Sequence, residues 1–175
     1  MRYIALLRGI NVGGNTMIKM SELKAVFEQL GLENVATYIN SGNIAFDSKA
    51  VPEASLVISI QEAISKAFGR DISTMVRERE DIERILASNP FTGQYESHKE
   101  MHVLFLKEEM PADKQQQLLA AVYPPERLEV KGREIYCHLP MGVADSLLGK
   151  RYIEQKLKVV YTGRNWRTVE KLALL

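Results

Sequence analysis

One cysteine, three histidines and one tryptophan occur among 175 residues. No apolar run approaches the roughly 18 to 20 residues that a membrane-crossing helix needs. The lone Cys137 excludes an internal disulfide and any CxxC redox or zinc pair, as expected of a reducing compartment. The apolar stretch Tyr3 to Leu7 stops at Arg8, too short for the core of a secretion signal. These absences predict a cytoplasmic protein with no membrane partner. A strong charge of one sign is also missing: the net charge is +1, which argues against tight non-specific nucleic-acid binding. The charge is unevenly spread, with seven Lys/Arg against two Glu over 150–175 and nine acidic against four basic residues over 78–113. The ends of the chain are basic and its middle is acidic.

Familiar catalytic signatures are absent too. There is no GxSxG elbow, no HExxH and no isolated acidic pair with a clear acid/base role. His98 and His102 are spaced i,i+4, but the second falls on a predicted strand and no Cys or acidic ligand completes a metal set. Cys137 and His138 are adjacent on a predicted strand, so their side chains point to opposite faces and make no nucleophile-base pair. No metal and no cofactor is expected.

What is present is ordinary globular composition, 46% hydrophobic and 26% charged, enough to build a core. The length allows one large domain or two small ones. The periodicities predict α+β architecture: two successive ferredoxin-like βαββαβ halves, 1–90 and 91–175, each followed by an additional helix. In the first half, a strand over 3–8 leads through a glycine-rich loop (9–19) to a helix over 21–30, with Ser21 as N-cap and Gly31 as its stop. Strands over 35–39 and 44–46 flank the turn residues 40–43, a helix over 52–68 begins with Pro52, and a fourth strand spans 72–76. A helix over 80–87 is ended by Asn89-Pro90. The second half repeats the order with strands at 101–106, 128–131 and 134–139, helices at 112–122 and 144–156, a short strand at 159–161 and a helix over 167–174.

Two consequences bear on function. Strand directions in a βαββαβ sheet put the first strand-to-helix loop, the central hairpin turn and the approach to the fourth strand at one end. Loop 9–19 and turn 40–43 should therefore be neighbours. The strand Tyr3 to Leu7 is apolar on both alternating sets, as is most of Met101 to Leu106, which predicts cover on both faces of the sheet. That cover would be the other half's sheet or the additional helices.

The loop Arg8-Gly9-Ile10-Asn11-Val12-Gly13-Gly14-Asn15-Thr16 is about twice as long as its counterpart, Lys107 to Pro111, which has no glycine. Glycines let backbone N–H groups turn toward an anion, and a helix N-terminus close behind favours negative charge. Arg8, Asn11, Gly13, Gly14 and Asn15, with Lys19, are candidates for an anion or phosphate cradle. The alternative is an irregular loop that Asn11 and Asn15 cap locally. Gly9 to Gly14 has P-loop spacing, but Asn15-Thr16 stands where Lys-Ser/Thr is required, so a nucleoside triphosphatase is not expected. Ser41 and Asn43 could present polar groups to the same site or serve only the hairpin turn. Ser41 to Phe46 faintly matches an RNA-recognition signature but lacks its stacking aromatics. Near the C-terminus, Arg164, Asn165, Trp166 and Arg167 suit binding of phosphate, carboxylate or a stacked base. The alternative has Thr162 or Asn165 capping the last helix and Trp166 in the core.

Three stretches, LLRGINVGG at 6–14, TYINSGN at 37–43 and TGRNWRT at 162–168, together resemble an uncharacterised bacterial domain-of-unknown-function family, over nearly the whole chain. The resemblance implies the same fold and a cytoplasmic setting, and transfers no role to any residue. Gly163 departs from the family pattern, in which a bulkier polar residue is common.

Four functional classes follow. The first is a binding protein for a small anionic or phosphorylated ligand at the glycine loop, with Arg164 or Arg167 closing the pocket. The second is nucleic-acid binding through the basic ends and Trp166, which is less favoured. The third is an enzyme working by positioning and electrostatics. The fourth is an interaction module that pairs the acidic middle of one copy with the basic ends of another. The oligomeric state is not set by the sequence.

Overall fold

The computed structural model describes residues 1–14 and 16–175. The chain forms two compact units, Met1–Arg84 with Lys171–Leu175, and Ile85–Glu170.

In the first unit β1 (Arg2–Leu7), α1 (Met20–Gln29), β2 (Glu33–Tyr38), β3 (Asn43–Asp47), α2 (Glu53–Phe68) and β4 (Thr74–Glu78) follow in βαββαβ order. They build a four-stranded antiparallel sheet of order β2-β3-β1-β4. Alternation along β1 puts Tyr3, Ala5 and Leu7 in one core with Ile44, Phe46 and Val76. Leu23, Val26 and Phe27 of α1 and Leu56, Ile60 and Ile64 of α2 recur at helical spacing and fill the same core. Phe46 anchors it, its ring stacked 5.7 Å from Tyr3 and edge-on 5.6 Å from Phe27. Burying each large apolar side chain contributes about 1.5–3 kcal/mol. Ile4 and Leu6, on the opposite face of β1, are also completely buried, so the strand is covered on both sides as its composition implies. The C-terminal end of the chain joins this unit because Arg2 Nε and Nη2 donate to the Leu175 carbonyl at 3.1 and 2.8 Å.

The second unit repeats the plan with β5 (Met101–Leu106), α4 (Ala112–Ala121), β6 (Arg127–Lys131), β7 (Glu134–His138), the short helix α5 (Tyr152–Gln155) and β8 (Tyr161–Asn165). Its sheet has the corresponding order β6-β7-β5-β8. Leu104, Leu106, Ile135 and Cys137 share a core with Leu118 of α4 and Ile153 of α5. Each half is followed by its additional helix, α3 (Arg79–Ala87) and α6 (Trp166–Leu172).

Several sequence-based boundaries move for identifiable reasons. Ser21 is not the cap of α1: the helix starts at Met20, with Lys19 extended at the N-cap and no side-chain cap. Ile18 is buried and its N–H donates to Asn11 Oδ1 at 2.7 Å, which fixes the extended segment and therefore the helix start. Pro52 sits at the N-cap of α2 rather than inside it. The helix expected over 144–156 is a series of turns with only α5 helical. A Cβ at Gly149 would lie 2.4 Å from the carbonyl oxygens of Val143 and Ala144. Arg151 has φ 57°, and the buried Glu126 carboxylate accepts the Leu147 N–H at 3.1 and 3.0 Å. A compact turn stabilised by a carboxylate replaces a helix there. The strand expected at 159–161 lies at Tyr161–Asn165, because Lys158 bends the backbone (φ 56°) and β8 then pairs with β5 from Leu106↔Tyr161 to His102↔Asn165. Thr162 to Asn165 is thus strand rather than turn. Among the described residues no helix is long and apolar enough to cross a membrane.

Candidate functional site

At one end of the first sheet, loop 9–19, the turn after β2 and the approach to β4 come together, as the strand directions require. The Leu7 N–H donates to the Gly42 carbonyl and the Arg8 N–H to the Ser73 carbonyl, both at 2.9 Å. Asn11 joins loop to turn. Its Nδ2 donates to the Ile18 and Asn40 carbonyls at 2.9 and 2.8 Å, and its Oδ1 accepts from the Ile18 N–H. Asn11 therefore spends its side chain on the loop itself.

The turn is equally constrained. Asn43 is completely buried and its Nδ2 donates to the Tyr38 carbonyl at 3.0 Å and to Ser41 Oγ at 2.9 Å. Gly42 has φ +85°, and a Cβ there would meet Leu7 Cβ at 2.8 Å and Ile10 Cδ1 at 3.0 Å. Glycine is needed both for the backbone conformation and for the close approach. Arg8 is half-buried at the base of the loop, Gly13 and Gly14 are exposed at its tip, and Asn15 lies outside the described residues.

Between loop and turn lies an open depression of about 540 Å³. It is lined by Asn11 and Asn40 and by Met17, Ile18, Lys19, Met20 and Glu22 of the segment that leads into α1. Lys19 carries the ammonium at the start of the helix, where the first-turn N–H groups have no side-chain cap. Glu22, an acidic residue of the first turn, lines the same depression. Met17, Met20 and Glu22 were missed from sequence. The Met-x-x-Met spacing around Lys19, directly before a helix, was the signal available for them.

The C-terminal candidates lie in the second unit, where Arg164 and Asn165 bond to neighbouring residues and Trp166 is buried. Arg164 is 7% exposed, and its Nη1 donates to Thr162 Oγ1 at 2.7 Å and to the Gly163 carbonyl at 2.8 Å. Burial pulls its pKa down to about 10, which still leaves it charged at neutral pH. Asn165 Oδ1 accepts the Thr168 N–H at 2.9 Å and so caps α6. Trp166 is buried and presents no open indole face, while Arg167 is exposed.

The second unit has a smaller depression, about 280 Å³, at its own strand-to-helix loop, with Lys107, Lys114 and Lys158 beside Glu108 and Glu109. It also holds a polar cluster that the sequence did not reveal. His138 Nδ1 accepts from Arg127 Nη2 at 2.9 Å, and Nε2 stands 3.6 Å from Glu100 Oε2. Arg127 Nη1 donates to Gln94 Oε1 at 2.5 Å, and its guanidinium lies 4.8 Å over the Phe91 ring. Cys137 is buried, and burial pushes its thiol well up, so it is no nucleophile. Among the described residues no group of three or more His, Cys, Asp or Glu is arranged to hold a metal ion.

Comparison with known proteins agrees with this fold. A family model described as a protein of unknown function, DUF1697, matches residues 1–136. The conserved bacterial protein SP0830 from Streptococcus pneumoniae has a solved structure that superimposes with a TM-score of 0.80 at 28% sequence identity, covering 99% of this chain and 97% of that one. No curated protein matches the chain.

Proposed function

The chain belongs to the DUF1697 family of proteins of unknown function, and since neither kinship nor fold supplies an activity, we propose that it binds a small ligand carrying an anionic group in the depression beside α1. The observation that carries this reading is that Lys19, Met20 and Glu22 line the depression at the start of α1, a helix end without a side-chain cap. A helix N-terminus and a lysine together favour an anion. The volume of about 540 Å³ falls within the range of small-molecule sites.

Glu22 narrows the choice. Lys19 and Glu22, one basic and one acidic residue, both line the depression, so a singly charged group is favoured over a phosphate dianion, and a carboxylate is the simplest match. Asn11 and Asn40 would meet the ligand with Lys19, while Asn43 and Ser41, bonded to each other, hold the turn, and Arg8, Gly13 and Gly14 belong to the loop that Asn11 fastens to it. A single buried thiol fits a reducing, cytoplasmic setting.

The test is a titration of the full chain with acetate and with inorganic phosphate, followed by amide chemical shifts. Saturable shifts over Lys19–Glu22 that disappear in Lys19→Gln are expected. If neither anion moves these amides at millimolar concentration, the reading is wrong.

A further inference from the structure

We propose that His138 is a pH-sensitive latch: its neutral ring holds Arg127, and through Arg127 the segment 89–95, against the second sheet, and its protonation releases them. The inference is independent of the anion-binding reading. His138 ends β7, with its side chain 9% exposed on the face opposite the core that contains Leu104 and Cys137. Residues 85–100 cross that face, and both ends of the crossing are fixed without a histidine. Tyr136 Oη donates to the Ile85 carbonyl at 2.7 Å, Lys131 Nζ to the Ser88 carbonyl at 2.9 Å, and the Leu139 N–H to the Glu100 carbonyl at 2.7 Å.

Arg127 holds the middle. Its Nη1 donates to Gln94 Oε1 at 2.5 Å, and its guanidinium lies 4.8 Å over the Phe91 ring. Its Nη2 and Nε reach His138 Nδ1 at 2.9 and 3.3 Å. A guanidinium can only donate, so Nδ1 accepts, and the ring in this arrangement is neutral with its proton on Nε2. Nε2 is buried, makes no hydrogen bond among the described residues and stands 3.6 Å from Glu100 Oε2.

The two neighbours therefore suit different charge states. A proton on Nδ1 removes the acceptor and sets two cations side by side at a buried ring, where repulsion is little screened. The same proton turns the approach of Nε2–H to Glu100 into a charge-assisted contact. Glu100 Oε2 already accepts the Glu96 N–H at 2.8 Å, so the charged ring engages the 96–100 end and lets go of Arg127, Gln94 and Phe91. The hold is present at neutral pH and lost as pH falls.

Other groups around the ring do not reverse this. The Phe91 and Tyr95 rings lie 6.0 and 6.4 Å from the imidazole, and burial raises the Tyr95 phenol above its ordinary range, so it stays neutral. Met101, opposite His138 on β5, is apolar. Glu129, Tyr136 and Arg164 form the next row on this face, two residues further along the strands. The remaining histidines sit at the short turn His98–Glu100 on partners other than Arg127. His98 faces Glu170 at 3.2 Å, and His102 Nε2 lies 3.2 Å from the Lys99 carbonyl.

The test is NMR of the full chain at pH 7.5 and 5.5, both above the ordinary carboxylate range, reading imidazole nitrogen shifts and amide protection factors. The Phe91 N–H bonds Asn89 Oδ1 and the Gln94 N–H the Phe91 carbonyl, both at 2.9 Å, so both amides report on the segment. At pH 7.5 His138 should be the Nε2–H tautomer. At pH 5.5 it should carry the second proton, and protection at Phe91 and Gln94 should fall about tenfold while the β5 amides hold. His138→Gln offers Arg127 an amide oxygen that takes no proton, so protection should be equal at both pH values. Arg127→Ala should show the loosened segment at both. His98→Gln and His102→Gln should keep the wild-type change.

An Nδ1–H tautomer at pH 7.5, or a ring still neutral at pH 5.5, overturns the latch. So does protonation that leaves Phe91 and Gln94 equally protected, or a wild-type change that persists in His138→Gln or Arg127→Ala.

Discussion

Asn11 Nδ2 donates to the Asn40 carbonyl at 2.8 Å across 29 residues of sequence, and this one bond fastens the glycine loop to the central hairpin turn. The same side chain also bonds both the carbonyl and the N–H of Ile18. Asn11→Ala leaves three backbone groups to find other partners and should lower stability by about 2–3 kcal/mol. Chemical denaturation checks the magnitude. Amide exchange at Ile18 should quicken more than the global loss accounts for, since its acceptor is gone.

Gly42 admits no side chain. At φ +85°, with Leu7 Cβ 2.8 Å from any added Cβ, Gly42→Ala combines backbone strain with overpacking. A loss of about 2 kcal/mol or more is expected. The Leu7–Gly42 backbone bond should weaken with it, and thermal unfolding measures the total. A shift below 0.5 kcal/mol would contradict the packing described.

The buried Tyr136 Oη donates to the Ile85 carbonyl at 2.7 Å, near the end of α3. Burial pushes this phenol above the ordinary tyrosine range, so it stays protonated and a donor throughout the physiological range. Tyr136→Phe should cost about 1–1.5 kcal/mol and leave the acceptor without that donor. Exchange at the C-terminal turn of α3 should quicken while the β5 amides stay protected.

His102 sets a pH dependence. It lies on β5, and burial holds its pKa below the ordinary value despite a 3.2 Å contact from Nε2 to the Lys99 carbonyl. The folded state therefore binds a proton less readily than the unfolded chain. Its contribution is fully present above the unfolded histidine pKa, about 6.5, and is lost as pH falls from there through the lowered folded value. Denaturation at pH 7.5 and 5.5 should show a drop that is smaller in His102→Gln. An identical drop in both proteins would remove His102 as its source.

Most of the fold was legible because it follows from short-range pattern. Met101 to Leu106 reads as a strand from its β-prone apolar run, and Leu23, Val26 and Phe27 read as a helix face from their spacing. The failures have a common cause. Residues 144–156 carry helical composition, but Gly149's close approach to two carbonyls and the Glu126 carboxylate, 21 residues from Leu147 in sequence, impose turns. Thr162 to Asn165 reads as a turn from its residue types and becomes a strand because β5 offers an edge to pair with. Long-range partners decided both cases, and no local signal carries them.

The candidate site divides in the same way. Sequence alone determined the duplicated α+β plan, the absence of a disulfide framework and of familiar catalytic motifs, and the adjacency of loop 9–19 to the hairpin turn, because strand direction and alternation are local properties whose consequences propagate through topology. Only the tertiary structure decided which polar groups are spent. Asn11, Asn43 and Asn165 read as ligand contacts or as caps with equal ease, since an amide side chain serves either purpose. Their hydrogen bonds to Asn40, Tyr38 and Thr168 show what each amide does within the fold. Met17 and Met20 join Lys19 at the depression only in the tertiary structure, through exposure and backbone conformation. Neither is written in residue type, because both arise only when distant segments are brought into contact.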